Sequence, residues 1–275
     1  MPLRPVTLDE LEIDDRAAVK AVAIYGRLET FLRRSGHRFL VPEAGEALSW
    51  DRALFLNLTY WNPEAGADVL CERRIPADVV AHAAWHELCG REIARHAPAG
   101  APPGAAALFF AEAAASAFDL YLVGRLLATA PDSDFITTQV PIMSECAGEA
   151  GLDEAAFGAL LEEVARGPER AFEDLRALLF DAASALIGCP TPAAAAAALD
   201  ALAGRRFAPL LHHYQLSNWI LYARAYAAPA AASDAFVQET DRTLRQAPDA
   251  LEWLDRSWVE PALGRALSGD ETSPA

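Results

Sequence analysis

The sequence predicts a mainly α protein, formally α+β, with one small sheet in its N-terminal third. Three observations predict it. Apolar residues recur at helical spacing along most of the chain. One stretch, residues 54–61 (LFLNLTYW), is rich in aromatics and carries the β-branched Thr59, which favours a strand. Prolines at Pro168, Pro190, Pro192, Pro209, Pro229 and Pro248 fall where helical stretches start or join.

The elements follow in order. Residues 14–34 read as the first helix, with Val19, Val22, Ala23, Leu28, Phe31 and Leu32 on one side and Gly36 as its stop. Residues 54–61 form the strand, Asn62-Pro63 and Gly66 the turn, and residues 69–71 a short partner strand that completes a hairpin. Pro76 suits a helical first turn, where its missing N–H costs nothing, so a helix is expected over 78–95 with Gly90 as a weak point. The segment APAGAPPG (97–104) is a loop, and a second long helix follows over 105–129. Beyond Pro131, helices are expected at 153–166, 168–187, 192–203, 207–227 and 233–246. The alanine run 193–198 reflects helix propensity alone. The expected division is residues 1–130, holding the first helix, the small sheet and a helix pair, and residues 131–275, a helical C-terminal subdomain whose tail after Gly269 is loose.

Composition narrows the function. The 275 residues hold 23 basic and 39 acidic side chains, a formal charge of −16. Such a field repels phosphate backbones and anionic lipid, so neither a nucleic-acid nor a membrane partner is expected. Cys71, Cys89, Cys146 and Cys189 are far apart, with no C-x-x-C pair, which points away from a disulfide scaffold or a cysteine zinc knuckle. The opening MPLRPVTLDELEIDD lacks an apolar run and turns acidic at once, unlike a secretory leader. The most apolar stretch, 105–127, is interrupted by Glu112, Asp119 and Arg125 and reads as a buried helix. The expected location is the cytoplasm, with reduced thiols. Phosphate-cradling glycine loops and the G-x-S-x-G elbow are absent from the sequence.

The chemistry-bearing residues lie on the helix pair. His82 and His86 are four apart, so their imidazoles stand one turn apart on one face, close enough to share a metal ion. On the next helix, Glu112 and Asp119 stand seven apart, about two turns, in an otherwise apolar run. A carboxylate there is costly to bury unless it is paired or coordinating. His82, His86 and Glu112 make the two-imidazole, one-carboxylate set that suits zinc, with Asp119 behind a histidine to hold its far nitrogen. The plainer alternative pairs Glu112 and Asp119 with Arg91, Arg95 or Arg125. A helical iron oxidase is a second reading, drawing also on Glu29 and a histidine from 212–213, although the usual Glu-x-x-His pairs are missing. A third is a non-catalytic acidic protein that binds a protein partner through its C-terminal helices.

The order of strand, hairpin, His82-Ala83-Ala84-Trp85-His86 helix and alanine-rich helix with Glu112 resembles the core of the gluzincin metallopeptidases. Their motif is H-E-x-x-H with a glutamate ligand on a later helix. The resemblance covers residues 50–127 and implies a zincin-like core, a zinc cofactor held by His82, His86 and Glu112, and a peptide or small-molecule ligand. The sequence departs from the motif at Ala83, where the family carries the glutamate that activates water. That places peptidase activity in question and suggests a pseudoenzyme or an altered hydrolase. Glu87, one turn further on, is the candidate substitute base, set against an arginine-paired surface role. By the same resemblance, His212, His213 or Tyr214 is expected to face the metal as an oxyanion partner, with His213 and Tyr214 foremost. Trp219, Tyr222 and Tyr226 read as core, the Glu92/His96 pair as a helix-end feature, and His37 as a turn residue without signal.

Overall fold

The computed structural model describes residues 3–43, 68–70, 72–229 and 231–268, with the side chains of 266–268 left aside. Helices dominate and the strands are short, as the fold class requires. The expected strand over 54–61 and the turn after it lie outside the described residues. Of the partner segment, Asp68–Val69 is a strand, and Cys71 lies outside.

The N-terminal third begins with β1 (Leu3–Thr7) and β2 (Glu12–Asp14), followed by α1 (Arg16–Val19) and α2 (Ala23–Arg34). The single helix expected over 14–34 is therefore broken. Residues 12–14 run extended because they pair in parallel with β5 (Arg74–Pro76), setting Ile13 opposite the buried Ile75. Asp15 turns through a left-handed conformation (φ 56°), and Val22 is extended before α2 starts. Val19 and Val22 are buried on either side of the break, which is why their spacing mimics one helix.

Gly36 (φ 69°) ends α2 in a conformation that a side chain would disfavour, and it turns the chain into β3 (Arg38–Pro42). β3 pairs antiparallel with β1 and parallel with β4 (Asp68–Val69), in a register that sets Phe39 opposite Asp68. That register carries His37 and Asp68 to the same end of the sheet.

The helix pair forms the centre. α3 (Ala77–Ala94) starts directly behind Pro76, and α4 (Ala105–Leu126) starts behind Gly104. α4 is long and apolar enough to cross a membrane, but 72% of its apolar window is buried inside this fold. It packs on α3 on one side and on α7 (Pro168–Ile187) on the other. At Gly124 any side chain would meet Pro168 and the Val164 carbonyl at 2.8 Å, so this glycine permits the close approach.

The remaining helices are α5 (Asp134–Glu149), α6 (Glu154–Arg166), α8 (Pro192–Asp200), α9 (His213–Tyr226), α10 (Asp234–Gln246), α11 (Ala250–Leu254) and α12 (Glu260–Ser268). α5 was not expected from the sequence, because Pro141 lies inside it and few of its residues are buried. Two caps define its start: Ser133 Oγ accepts from Ile136 N–H, and the Asp15 carboxylate accepts from Phe135 N–H. α11 and α12 were also unforeseen. A π-helical turn at 255–259 joins them and shifts the helical phase, which defeats a 3.6-residue reading across it. Buried hydrophobic side chains from before and after residue 130 belong to one cluster.

Candidate metal centre

On α3 the face made by Val80, Ala81, Ala84, Trp85, Leu88 and Cys89 is fully buried, and it fixes the helix rotation. His82 and His86 then fall on the neighbouring, half-buried face that looks at α4. α4 buries Phe109, Phe110, Ala113, Ala114, Ala117 and Phe118, which turns Glu112 and Asp119 toward α3. Small side chains along the seam, among them Ala83, Ala111 and Ala115, let the helices approach closely enough for these short groups to meet.

They do meet. His82 Nε2 and His86 Nε2 are 3.2 Å apart. Glu112 Oε2 is 3.5 Å from His86 Nε2 and 3.9 Å from His82 Nε2. The three donor atoms lie within 4.8 Å of one another and can hold a metal ion. With metal–ligand bonds of about 2.0–2.2 Å, tetrahedral donors stand about 3.3–3.6 Å apart, close to the spacings seen here. On the far side of His82, Asp119 Oδ2 lies 3.9 Å from Nδ1, where it can orient the ring. Asp119 Oδ1 is buried and has no hydrogen-bond partner among the described residues.

The plainer alternative fails. Arg91 donates to Glu87 (2.6 Å) and to the Ser35 carbonyl (2.7 Å), Arg95 pairs with Glu92, and Arg125 lies 3.4 Å from Glu169. Among the described residues, no arginine pairs with Glu112 or Asp119. The carboxylates therefore face imidazoles, and the electrostatics follow. Burial pushes the His82 imidazole down, but Asp119, Glu112 and Asp68 outweigh it and raise its pKa to about 9. Burial works against ionisation of Glu112, yet the two histidines hold it below the usual carboxylate range. Burial raises Asp119, with His82 opposing. At the start of α3, burial and the nearby Asp119 push Asp78 up to about 6.

Glu87 is not aimed at the histidine pair. It accepts from Arg91, and its other oxygen stands 3.2 Å from His37 Nδ1. His37 Nε2 lies 2.8 Å from Asp68 Oδ2. The chain Arg91–Glu87–His37–Asp68 thus links α3 to the sheet. His37, dismissed as a turn residue, is its hinge, and no local pattern marks it because Gly36 and the β3–β4 register create the contact. His37, Asp68, His86, Glu87, Glu112 and Tyr222 line a cavity of about 230 Å³, with Trp219 and Phe109 among its apolar walls.

The C-terminal candidates lie at the start of α9. His213 and Tyr214 point outward at the start of α9, and Tyr214 is 72% exposed. His212 spends Nδ1 as the cap of α9, accepting from Gln215 N–H at 3.1 Å. The aromatic residues that α9 presents to the cavity are Trp219 and Tyr222; Trp219 also lies in the core, as expected, at 4% exposure. Tyr226 is 46% exposed and packs on Tyr222 with ring centroids 4.9 Å apart. Glu29 accepts from Arg16 and Arg33, so it serves no metal. Glu92 is held by Arg95 and Arg265, and His96 stacks on Phe236.

Comparison with protein-family models, with curated proteins and with solved structures returns no match.

Proposed function

We propose that this chain is a zincin-like metal-binding protein, with one zinc ion held by His82, His86 and Glu112, and a hydrolase whose peptidase chemistry is altered or lost. The observation that carries the reading is the convergence of two imidazoles and one carboxylate from adjacent helices, with no competing arginine among the described residues. The half-buried group of two imidazoles and one carboxylate, with donor atoms 3.2–3.9 Å apart, has the spacing of a metal-ligand set. Zinc in such a set supplies Lewis-acid chemistry. The residues around it supply the rest. Asp119 orients His82, and Ala83 offers no group to move a proton. Glu87, engaged by Arg91 and His37, and Asp68, engaged by His37, are the acid–base candidates of the same cavity.

The two-histidine, one-carboxylate set also suits mononuclear non-haem iron(II). The two-iron version loses support, since Glu29 is occupied by arginines. Elemental analysis of protein purified without chelator tests the reading. One zinc per chain, lost in the His82→Ala variant, is the expected result. Iron in place of zinc would favour the oxidase reading, and no metal, or metal retained in His82→Ala, would overturn the site.

A further inference from the structure

His86 borders two recesses of opposite character. One is the polar cavity already described. The other, of about 320 Å³, lies on the opposite side of His86, between the C-terminal half of α3, the 97–104 loop and the first turns of α4. Its floor is Ile93, Ala107 and Ala111, each less than a tenth exposed, and its rim is Gly90, Ala94 and the Pro102–Pro103 segment. The recesses share His86, Leu108 and Ala111, so both border one of the three candidate metal ligands.

The lining of the second recess is almost wholly hydrocarbon. Among the described residues, His86 and Ser233 are its polar members, and no ionisable group other than His86 lines it. Its side chains are also small, which leaves the space in front of them open. Gly90 illustrates this: a mid-helix glycine costs roughly 0.5–1 kcal/mol against alanine. No packing constraint requires it, since an added Cβ there would meet nothing within 4 Å. Gly124, by contrast, is held to glycine by contacts at 2.8 Å. The 97–104 loop is fixed over the recess by the hydrogen bond from Ala228 N–H to the Pro103 carbonyl and by the pairing of Gly104 with Ala228.

We infer that the ligand of this centre is amphipathic: a metal-binding polar head on His82, His86 and Glu112, and an aliphatic tail lying in the apolar recess beside His86. This rests on the metal reading above and extends it by naming the ligand class. An uncharged hydrocarbon tail fits because the recess offers neither a counter-charge nor a row of hydrogen-bond donors. The −16 net charge also disfavours a second anionic group there.

The test uses the zinc-loaded full chain and a series of straight-chain alkyl hydroxamates from acetyl to octanoyl, with binding followed calorimetrically. Each buried methylene is worth about fourfold in affinity. Octanoyl hydroxamate is expected to bind at least about 30-fold more tightly than acetohydroxamate, allowing for methylenes that stay partly wet. Gly90→Leu and Ala94→Leu fill the rim from exposed helix positions. They are expected to cut that gain to about threefold or less while leaving zinc stoichiometry and acetohydroxamate affinity unchanged. A chain that binds zinc and acetohydroxamate but shows no dependence on tail length overturns the inference alone. So does a tail dependence that survives both substitutions. A chain that binds no zinc overturns the metal reading and this inference together.

Discussion

Two of the helix interfaces in this molecule set ionisable side chains against one another in opposite ways. Between α7 and α10, Arg176 is fully buried and donates to Glu173 at 2.7 and 2.8 Å and to Asp241 at 2.8 Å. Arg245 closes the network by reaching Asp241 and Asp181. Donors meet acceptors at hydrogen-bond distance, and with Arg205, which also donates to Asp181, three guanidinium groups face three carboxylates. Between α3 and α4, the groups are acceptors and imidazoles at 3.2–3.9 Å, and the basic side chains nearby serve other carboxylates. The first arrangement pairs its carboxylates with guanidinium groups, leaving only Arg176 Nη1 without a partner among the described residues of that network. The second has the geometry of a set that awaits a cation. Buried charge alone therefore does not mark a functional site; the identity and spacing of the partners decide.

The largest effect expected from this contrast is in stability. Arg176→Ala leaves Glu173 and Asp241 without their buried partner and should cost about 3–5 kcal/mol, read by urea unfolding. Its zinc content should stay at the parent level if the two networks are independent. A loss of zinc in that variant would break the separation between them. At the α3–α4 seam, stability should instead depend on metal. Zinc at about 100 times its dissociation constant should add roughly 2.7 kcal/mol, removed by chelator and absent from His82→Ala. Equal thermal midpoints with and without zinc would refute a metal-linked seam.

A sharper probe of the same seam is Asp119→Asn. The change keeps the shape but removes the charge 3.9 Å from His82 Nδ1. Zinc affinity should fall about 10- to 100-fold while stoichiometry at saturation stays at one. An unchanged affinity would mean that Asp119 does not support His82 through that ring nitrogen.

How much of this could be read from the chain varies with the kind of contact. The spacing of His82 and His86 on one helix, and of Glu112 and Asp119 on another, is periodic information, and the structure brings all four groups together. The helices at 154–166, 168–187 and 234–246 were equally legible, because their apolar residues recur at helical spacing. What escaped is set by tertiary geometry. β1 and β3 lie more than thirty residues apart in sequence yet pair, and β2 depends on β5. α5 carries a proline, and its first turn is capped partly by Asp15, 120 residues earlier in the chain. His37 and Asp68 become neighbours through a strand register. For α9, the rotation of the helix decides which aromatic residues face the cavity, and sequence adjacency to His212 pointed to the wrong turn.

The His37 bridge gives the smallest effect and the most specific pH signature. Burial pushes its imidazole down, but hydrogen bonds and charge from Asp68 and Glu87 prevail and raise it from 6.5 to about 9. The folded chain thus holds this proton more tightly than the unfolded one, whose histidine titrates near 6.5. The stabilisation is complete below pH 6.5 and is lost as the pH rises through about 9. With the side chain 15% exposed, about 1–3 kcal/mol is expected in the acid limit. His37→Gln removes the titrating group but retains a polar side chain. In metal-free protein, the difference in unfolding free energy between parent and variant should be largest near pH 6 and should shrink steadily to pH 9. A difference independent of pH would assign His37 a packing role against Phe39, on whose ring it rests edge-on at 4.9 Å. A difference that grows with pH would mean that the imidazole is neutral in the fold, and that Asp68 and Glu87 are not joined through its proton.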